Sequence, residues 1–349
     1  MIQSIEIQGL KCFDKVQLTF SGFTLLAGRN STGKSTVIQA ILAMFQESAS
    51  SLAGPYMNIG TVSEVKNRIA GSKEIDLEIR YEYQGEQFQF GKKFLDDKRE
   101  VHRGNVFPES MKVLYLTADR IGVQDTYDKS LKDTEDIGIR CEYAFYYLCE
   151  HARDKLKESD FIYDHTAKLT FGGQVDYWLN RILGYRVTAE QIAGTELIRV
   201  AYSNEVLGRD IRPKNVGTGV SYIAEIIIAA LSCRKGDLLI IENPEIHLHP
   251  SGQAEFISFV VFLAKQGLQV MMETHSDHIY NGLRRCISSD VIDADQVRVY
   301  FFEQDAFQNS IPVRICLDED GHVENQQKDA VLWISKRRAI PPVKTGAGS

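Results

Sequence analysis

Gly28-Arg29-Asn30-Ser31-Thr32-Gly33-Lys34-Ser35-Thr36 decides the reading of this chain. The stretch fits G-x-x-x-x-G-K-[ST], the pattern of a phosphate-binding loop. Phe23-Thr24-Leu25-Leu26-Ala27 reads as a short buried strand running into it. Behind it Val37, Ile38, Ile41, Leu42, Met44 and Phe45 recur at helical spacing. Glycines at 28 and 33 let backbone N–H groups turn toward phosphate oxygens, and the helix N-terminus adds a favourable field. The candidate cradle is therefore Arg29, Asn30, Ser31, Thr32, Gly33, Lys34, Ser35 and Thr36. Lys34 is placed to reach β- and γ-phosphates, and the Ser35 hydroxyl to ligate Mg²⁺. The expected ligands are ATP and Mg²⁺. The bland alternative, a Gly-rich strand-to-helix turn, does not require spacing, strand and helix to agree.

Hydrolysis needs a second acidic strand end. Leu238-Leu239-Ile240-Ile241-Glu242 is an apolar run ending in a carboxylate, which is how a Walker B strand reads. Glu242 is the expected second Mg²⁺ residue beside Ser35; the alternative is an ordinary buried strand with an exposed Glu. Glu245, three residues on, is a candidate to orient water or act as a base. Thr274-His275-Ser276 follows the next strand, Leu268 to Met272, and places an imidazole where a γ-phosphate would be sensed. His247, His249, His275 and His278 also invite a metal reading, but they fall in two separate loops and lack the H-E-x-x-H pattern.

The bulk properties set the frame. The chain has 349 residues, 44% of them hydrophobic, enough for one large domain or two modest ones. Lys plus Arg number 40 against 47 Asp plus Glu, a formal charge of -7, which argues against a surface coated for nucleic acid. Six scattered cysteines, with no C-x-x-C pair, read as reduced thiols, and a cytoplasmic location is expected. No apolar run reaches the ~18 residues of a membrane span, and the start lacks a signal-peptide pattern.

Along the chain, Ile5 and Ile7, then Val16, Leu18 and Phe20, predict two half-buried strands. Ile75, Leu77, Ile79, Tyr81 and Tyr83 alternate, turn at Gln84-Gly85-Glu86, and return through Phe88 and Phe90 as a hairpin. Val113 to Leu116 is another short strand. Tyr143, Ala144, Tyr147 and Leu148, and then Trp178, Leu179 and Ile182, take helical spacing. The expected division is 1–132, an N-terminal lobe with the phosphate loop and a β subdomain; 133–205, a mainly helical insert; 206–325, a C-terminal lobe of alternating helices and strands; and 326–349, a flexible tail.

With these pieces in order, the chain resembles the ABC-type ATPase heads of the SMC, RecF and OLD group. It is similar in particular to small bacterial predicted ATPases of antiphage defence operons. Ile5-Glu6-Ile7-Gln8-Gly9-Leu10-Lys11-Cys12-Phe13 looks like the group's opening strand. Tyr115 to Arg120 resembles the strand leading into its Q-loop, with Arg120 and Gln124 as candidates there; Glu242 to Pro250 resembles its D-E-P-E-x-H-L-H-P phrase; Glu273 to Ser276 matches its switch-histidine phrase. The resemblance implies an α/β fold: a P-loop ABC-type ATPase head, a mixed sheet with an antiparallel β subdomain and a helical lobe. It also implies a head-to-tail homodimer or higher oligomer. Each nucleotide would lie between one subunit's P-loop and the other's signature helix, which would begin at Asn215 to Ser221. Gly217, Thr218 and Gly219 would approach the phosphate there, with Thr218 or Ser221 supplying a hydroxyl; the alternative is a plain helix N-cap.

Two departures stand out. Gly217 occupies the place of the signature serine, and Asn243 the place of the usual catalytic Glu. An amide cannot take a proton, so Glu245 becomes the expected base and hydrolysis is expected to be slow. The insert has no sustained heptads, so no SMC-length arm is present. Asp318-Glu319-Asp320 matches D-x-D formally but reads as a surface turn, since too little chain follows for a nuclease domain.

Three functions follow. The first is an ATPase that dimerises around ATP and regulates a separate effector, a nuclease or other toxin, in antiphage defence. The second is a DNA-binding RecF-like repair ATPase, supported by Lys92-Lys93, Lys98-Arg99 and Arg103, which equally read as a solvated face. The third is a non-hydrolysing, nucleotide-dependent scaffold. No membrane partner is expected.

Overall fold

A computed structural model describes residues 1–46, 52–95, 100–131, 135–204, 206, 208–305 and 308–324. The tail at 326–349 and the pair Lys98-Arg99 lie outside the described residues. The strands are β1 Ile2–Leu10, β2 Phe13–Thr19, β3 Phe23–Gly28, β4 Glu74–Tyr83, β5 Glu86–Leu95, β6 Glu100–Gly104, β7 Val113–Leu116, β8 Thr126–Asp128, β9 Arg186–Gln191, β10 Leu197–Ser203, β11 Leu238–Glu242, β12 Gln269–Thr274, β13 Val297–Gln304 and β14 Ser310–Ile315. The α-helices are α1 Lys34–Phe45, α2 Val62–Val65, α3 Ala144–His151, α4 Phe171–Leu183, α5 Thr218–Ser232, α6 Pro250–Lys265 and α7 Asp277–Ser288.

The strands form three sheets. The central one runs β14-β13-β3-β12-β11-β7, parallel except for β14 at one edge. Its strands read as near-continuous apolar runs because both faces are covered. On one face, α1 packs against β3 and against β1 and β4 of the second sheet. That sheet, β2-β1-β4-β5-β6, is antiparallel throughout, as the alternating patterns of its strands predict. The other face carries the larger core, built from α3 to α7. Val37, Ile38, Ile41 and Leu42 of α1 are fully buried, each worth about 1.5–3 kcal/mol of burial. Together they fix the helix that follows the phosphate loop.

The region read as a mainly helical insert is mixed. It holds α3 and α4, but β9 and β10 join β8 in a third, antiparallel sheet of order β8-β10-β9. β9 gave no signal because Val187 is its only buried residue, so no apolar alternation marks it.

The basic residues by the hairpin are satisfied from within. Lys92 is buried, and its ammonium donates to the carbonyls of Ala43 (3.1 Å) and Gln46 (3.0 Å), closing the C-terminal end of α1. Lys93 pairs with Glu74 at 2.6 Å, and Arg103 forks onto the two oxygens of Asp76 at 2.6 and 2.9 Å. No helix among the described residues is long and apolar enough to cross a membrane.

Candidate functional site

The carboxyl ends of three neighbouring parallel strands deliver the site. β3 runs into the phosphate loop, β12 lies beside it, and β11 lies one strand further away. Side chains alternate between faces along a strand. Leu26, Ile240 and Met271 belong to the core on the α1 side. Glu242 and Glu273, two residues beyond Ile240 and Met271, therefore emerge on that side, directly opposite each other in register.

The loop is held from several directions. Lys34 is 3% exposed, and its ammonium donates to the carbonyls of Gly28 (3.2 Å) and Arg29 (2.7 Å). Thr32 Oγ1 donates to the same Arg29 carbonyl at 2.8 Å. Gln304 donates to the Ser31 carbonyl at 2.9 Å, and the Ser310 hydroxyl donates to the Thr32 carbonyl. Gly28 and Gly33 sit at φ 139° and 104°. A Cβ at Gly28 would come 2.6 Å from the Phe302 carbonyl oxygen, and one at Gly33 2.7 Å from Ser310 Oγ, so no larger residue fits either position. α1 starts with no side-chain cap and no acidic residue in its first turn. Its leading N–H groups are thus oriented for an external anion, and the donor set fits a triphosphate.

Ser35 Oγ donates to both oxygens of Glu273, at 3.1 and 2.9 Å. The Lys34 ammonium lies 3.8 Å from the same carboxylate. Burial pushes the Glu273 carboxyl up to about 7, reinforced by the charge of Glu242 and opposed by Lys34 and Ser35. Burial pulls the Lys34 ammonium down, against the pull of Glu273 and Glu245. The hydroxyl and carboxylate oxygens here are the hard donors that Mg²⁺ prefers.

His275 closes the other side. Its Nδ1 lies 2.9 Å from the Gly28 carbonyl; a carbonyl only accepts, so Nδ1 carries the proton in this contact. Its backbone N–H donates to Glu245 Oε1 at 2.8 Å. Glu245 Oε2 and Asn243 Oδ1 are buried and have no hydrogen-bond partner among the described residues. Asn243 turns the chain at φ 43°. Lys34, Ser35, Asn243, Glu273, His275 and Lys11 are among the residues lining a single cavity of about 450 Å³.

The structure thus gathers Asn30 through Thr36, Asn243 and His275 around one cavity, and ties Glu245 to it through the His275 backbone. Arg29 contributes its carbonyl oxygen to the loop's internal bonding. The Glu242 carboxylate is engaged by the neighbouring strand and the segment after it: it accepts from the Tyr115 hydroxyl at 3.0 Å and from the Ala118 N–H at 3.2 Å. Arg120 is buried and donates to the carbonyls of Glu242 (2.9 Å) and Asn243 (3.0 Å), fixing the backbone at the end of β11. Gln124 is exposed.

Gly217 and Thr218 are exposed at the start of α5, away from this cavity, and α5 has no side-chain cap. Gly219 packs against the loop after β11, where an added Cβ would come 2.4 Å from the His247 carbonyl oxygen. Ser221 does not offer a hydroxyl to a neighbour: it is fully buried, and its Oγ shares a 3.0 Å bond with the Tyr202 hydroxyl. From Gly219 onward α5 is buried on nearly all sides, so Ser221 lies inside the core. His249 caps α6 by accepting from the Ser251 N–H at 3.4 Å. Among the described residues the four histidines form no ligand cluster. Asp318-Glu319-Asp320 is a turn whose Asp318 carboxylate accepts from the Asp320 and His322 N–H groups.

Sequence reasoning missed Glu273 and Lys11 as site residues. β12 extends two residues past Met272, so Glu273 is a strand residue, 4% exposed, and not the start of a loop. A carboxylate inside an otherwise apolar strand was the available signal.

A family model described as AAA ATPase domain matches residues 1–169 and 147–280. Among solved structures, the SMC head domain from Thermotoga maritima gives a TM-score of 0.52 at 12% identity, covering 89% of this chain and 98% of that one. An Smc head bound to the C-winged helix domain of ScpA gives 0.61 at 14%, covering 91% and 98%. An Smc head with an extended coiled coil, bound to the C-terminal domain of ScpA derived from Pyrococcus furiosus, gives 0.56 at 12%, covering 96% and 99%. No curated protein matches the chain. At these identities the structural likeness speaks for the fold: an SMC-type P-loop ATPase head.

Proposed function

The chain belongs to the AAA ATPase domain family, and from that premise we propose that it binds Mg·ATP in the cavity behind Gly28 to Thr36, hydrolyses it slowly, and dimerises around it. The observation that carries this reading is the meeting of Lys34, Ser35, Glu273, Asn243 and His275 around one cavity at the ends of adjacent parallel strands. A magnesium ion held there would supply charge neutralisation for the phosphate oxygens. The chain's own groups do the rest. The N–H groups at the start of α1 and the Lys34 ammonium bind the phosphates. Ser35 and a carboxylate from the neighbouring strand ends would hold the metal. His275, anchored to the Gly28 carbonyl, reports on the γ-phosphate side.

Glu245 is the group proposed to take the proton from water. One of its oxygens is used by the His275 N–H and the other is buried and unpaired, which leaves one oxygen for that task. Asn243 can orient water but cannot accept its proton. In a single-turnover assay Glu245→Gln should retain ATP binding and lose roughly 10²-fold or more in hydrolysis. Unchanged hydrolysis would remove Glu245 from the role.

Dimerisation is supported by the exposed Gly217 and Thr218 at the uncapped start of α5. The regulatory half of the proposal, control of a separate nuclease or toxin in antiphage defence, rests on the family resemblance. Co-purification of the chain with proteins encoded beside it, with and without ATP, tests it.

A further inference from the structure

The hydroxyl that a phosphate loop aims at magnesium is engaged here by an unexpected carboxylate. Ser35 donates to both oxygens of Glu273, and Lys34 lies 3.8 Å from one of them. Topology explains the choice. Glu273 sits on β12, the strand hydrogen-bonded to β3; Glu242 sits on β11, one strand spacing or about 4.8 Å further out. Both emerge on the α1 face, so reach is set by distance from β3, and the nearer residue wins. Glu242 is also committed elsewhere, to Tyr115 and Ala118. The local charge is unbalanced: Glu273 is 4% exposed, Glu242 faces it across the strand pair, Glu245 is close, and Lys34 is the ammonium beside them. A divalent cation offsets such a surplus, and a buried carboxylate already aimed at the Ser35 hydroxyl is placed to hold it.

We propose that Glu273 is the protein carboxylate on the magnesium side of this site, acting together with Ser35, and that Glu242 is a positioning residue that anchors the end of β11 to β7 and the segment after it. The assignment rests on the reading that the cavity takes Mg·ATP.

The test is equilibrium binding of a fluorescent ATP analogue to the full chain, in EDTA and in Mg²⁺, with Mn²⁺ counted separately by electron paramagnetic resonance. In the native chain the metal should tighten nucleotide binding at least about tenfold. Glu273→Gln should shrink that gain to within about twofold and lower Mn²⁺ occupancy. Its metal-free affinity should stay the same or improve, since a carboxylate competing for Ser35 and Lys34 is gone; that retained binding also certifies the fold. Glu242→Gln should keep the metal gain within about threefold. A full metal gain in Glu273→Gln, or its loss in Glu242→Gln alone, overturns the assignment. If the native chain binds no nucleotide under either condition, the reading of the cavity itself falls, which is a distinguishable failure.

Discussion

At the scale of single residues, the site is a set of side chains whose freedom has been removed by the backbone around them. His275 is the clearest case, with its ring on the Gly28 carbonyl and its own N–H on Glu245. It therefore connects the phosphate loop to the loop after β11. His275→Ala should leave the equilibrium affinity for ATP within about threefold and slow steady-state turnover by roughly 10-fold or more, because it removes a contact that matters when the γ-phosphate is in place. Equal turnover in the variant would count against a sensing role. At this scale the sequence was most legible where chemistry demands a fixed pattern: the glycines, Lys34 and Ser35 all stand where the motif puts them. Glu273 was marked only as a carboxylate in an apolar strand; its contact with Ser35 was not legible, because which carboxylate reaches Ser35 depends on strand order, a tertiary fact that no spacing along the chain encodes.

At the scale of elements, helices are held by groups distant in sequence. The C-terminal end of α1 is closed by Lys92 from β5, so a residue that reads as part of a basic surface is a buried helix cap. This removes one of the supports for a nucleic-acid face beside the hairpin; Lys93 and Arg103 are paired with acids on β4. The α5 helix carries a buried carboxyl, Glu225, which burial raises well above its ordinary value of 4.5, against the charge of Arg120 and the Gly122 N–H. A carboxyl raised in the folded state keeps a proton that the unfolded chain has released. Its contribution to stability is therefore full below 4.5 and is lost as pH climbs toward the folded value. The melting temperature should fall between about pH 5 and pH 8, and Glu225→Gln, which keeps the shape but cannot ionise, should show a smaller fall. Identical pH slopes for the two proteins would contradict this. α1 and the β4–β5 hairpin were visible in the sequence because their apolar residues recur at helical and strand spacing. β9 was invisible because it buries only Val187 and borrows its order from β10.

At the scale of the whole molecule, the central sheet acts as a platform: the phosphate-loop cavity at the carboxyl ends of its strands, an antiparallel sheet covering α1, and a helical layer on the opposite face. The exposed start of α5 lies outside the chain's own cavity, which is the arrangement a head-to-tail dimer would use. Light scattering of the full chain should show a monomer–dimer shift with Mg·ATP and the Glu245→Gln background. Thr218→Arg, which puts a bulky side chain at that surface, should abolish the shift without altering nucleotide affinity by more than about threefold. A dimer that persists in Thr218→Arg would place the interface elsewhere.

The central claim is that Lys34 and the N–H groups behind it hold a triphosphate with its metal. Calorimetric titration of the full chain with Mg·ATP, beside Lys34→Ala, addresses it most directly. The native protein should bind one nucleotide per chain, and the variant should bind roughly 10- to 150-fold more weakly, the loss expected from about 1.5–3 kcal/mol of charge-assisted hydrogen bonding. Native affinity in Lys34→Ala, or no binding by the unaltered chain, would contradict the account.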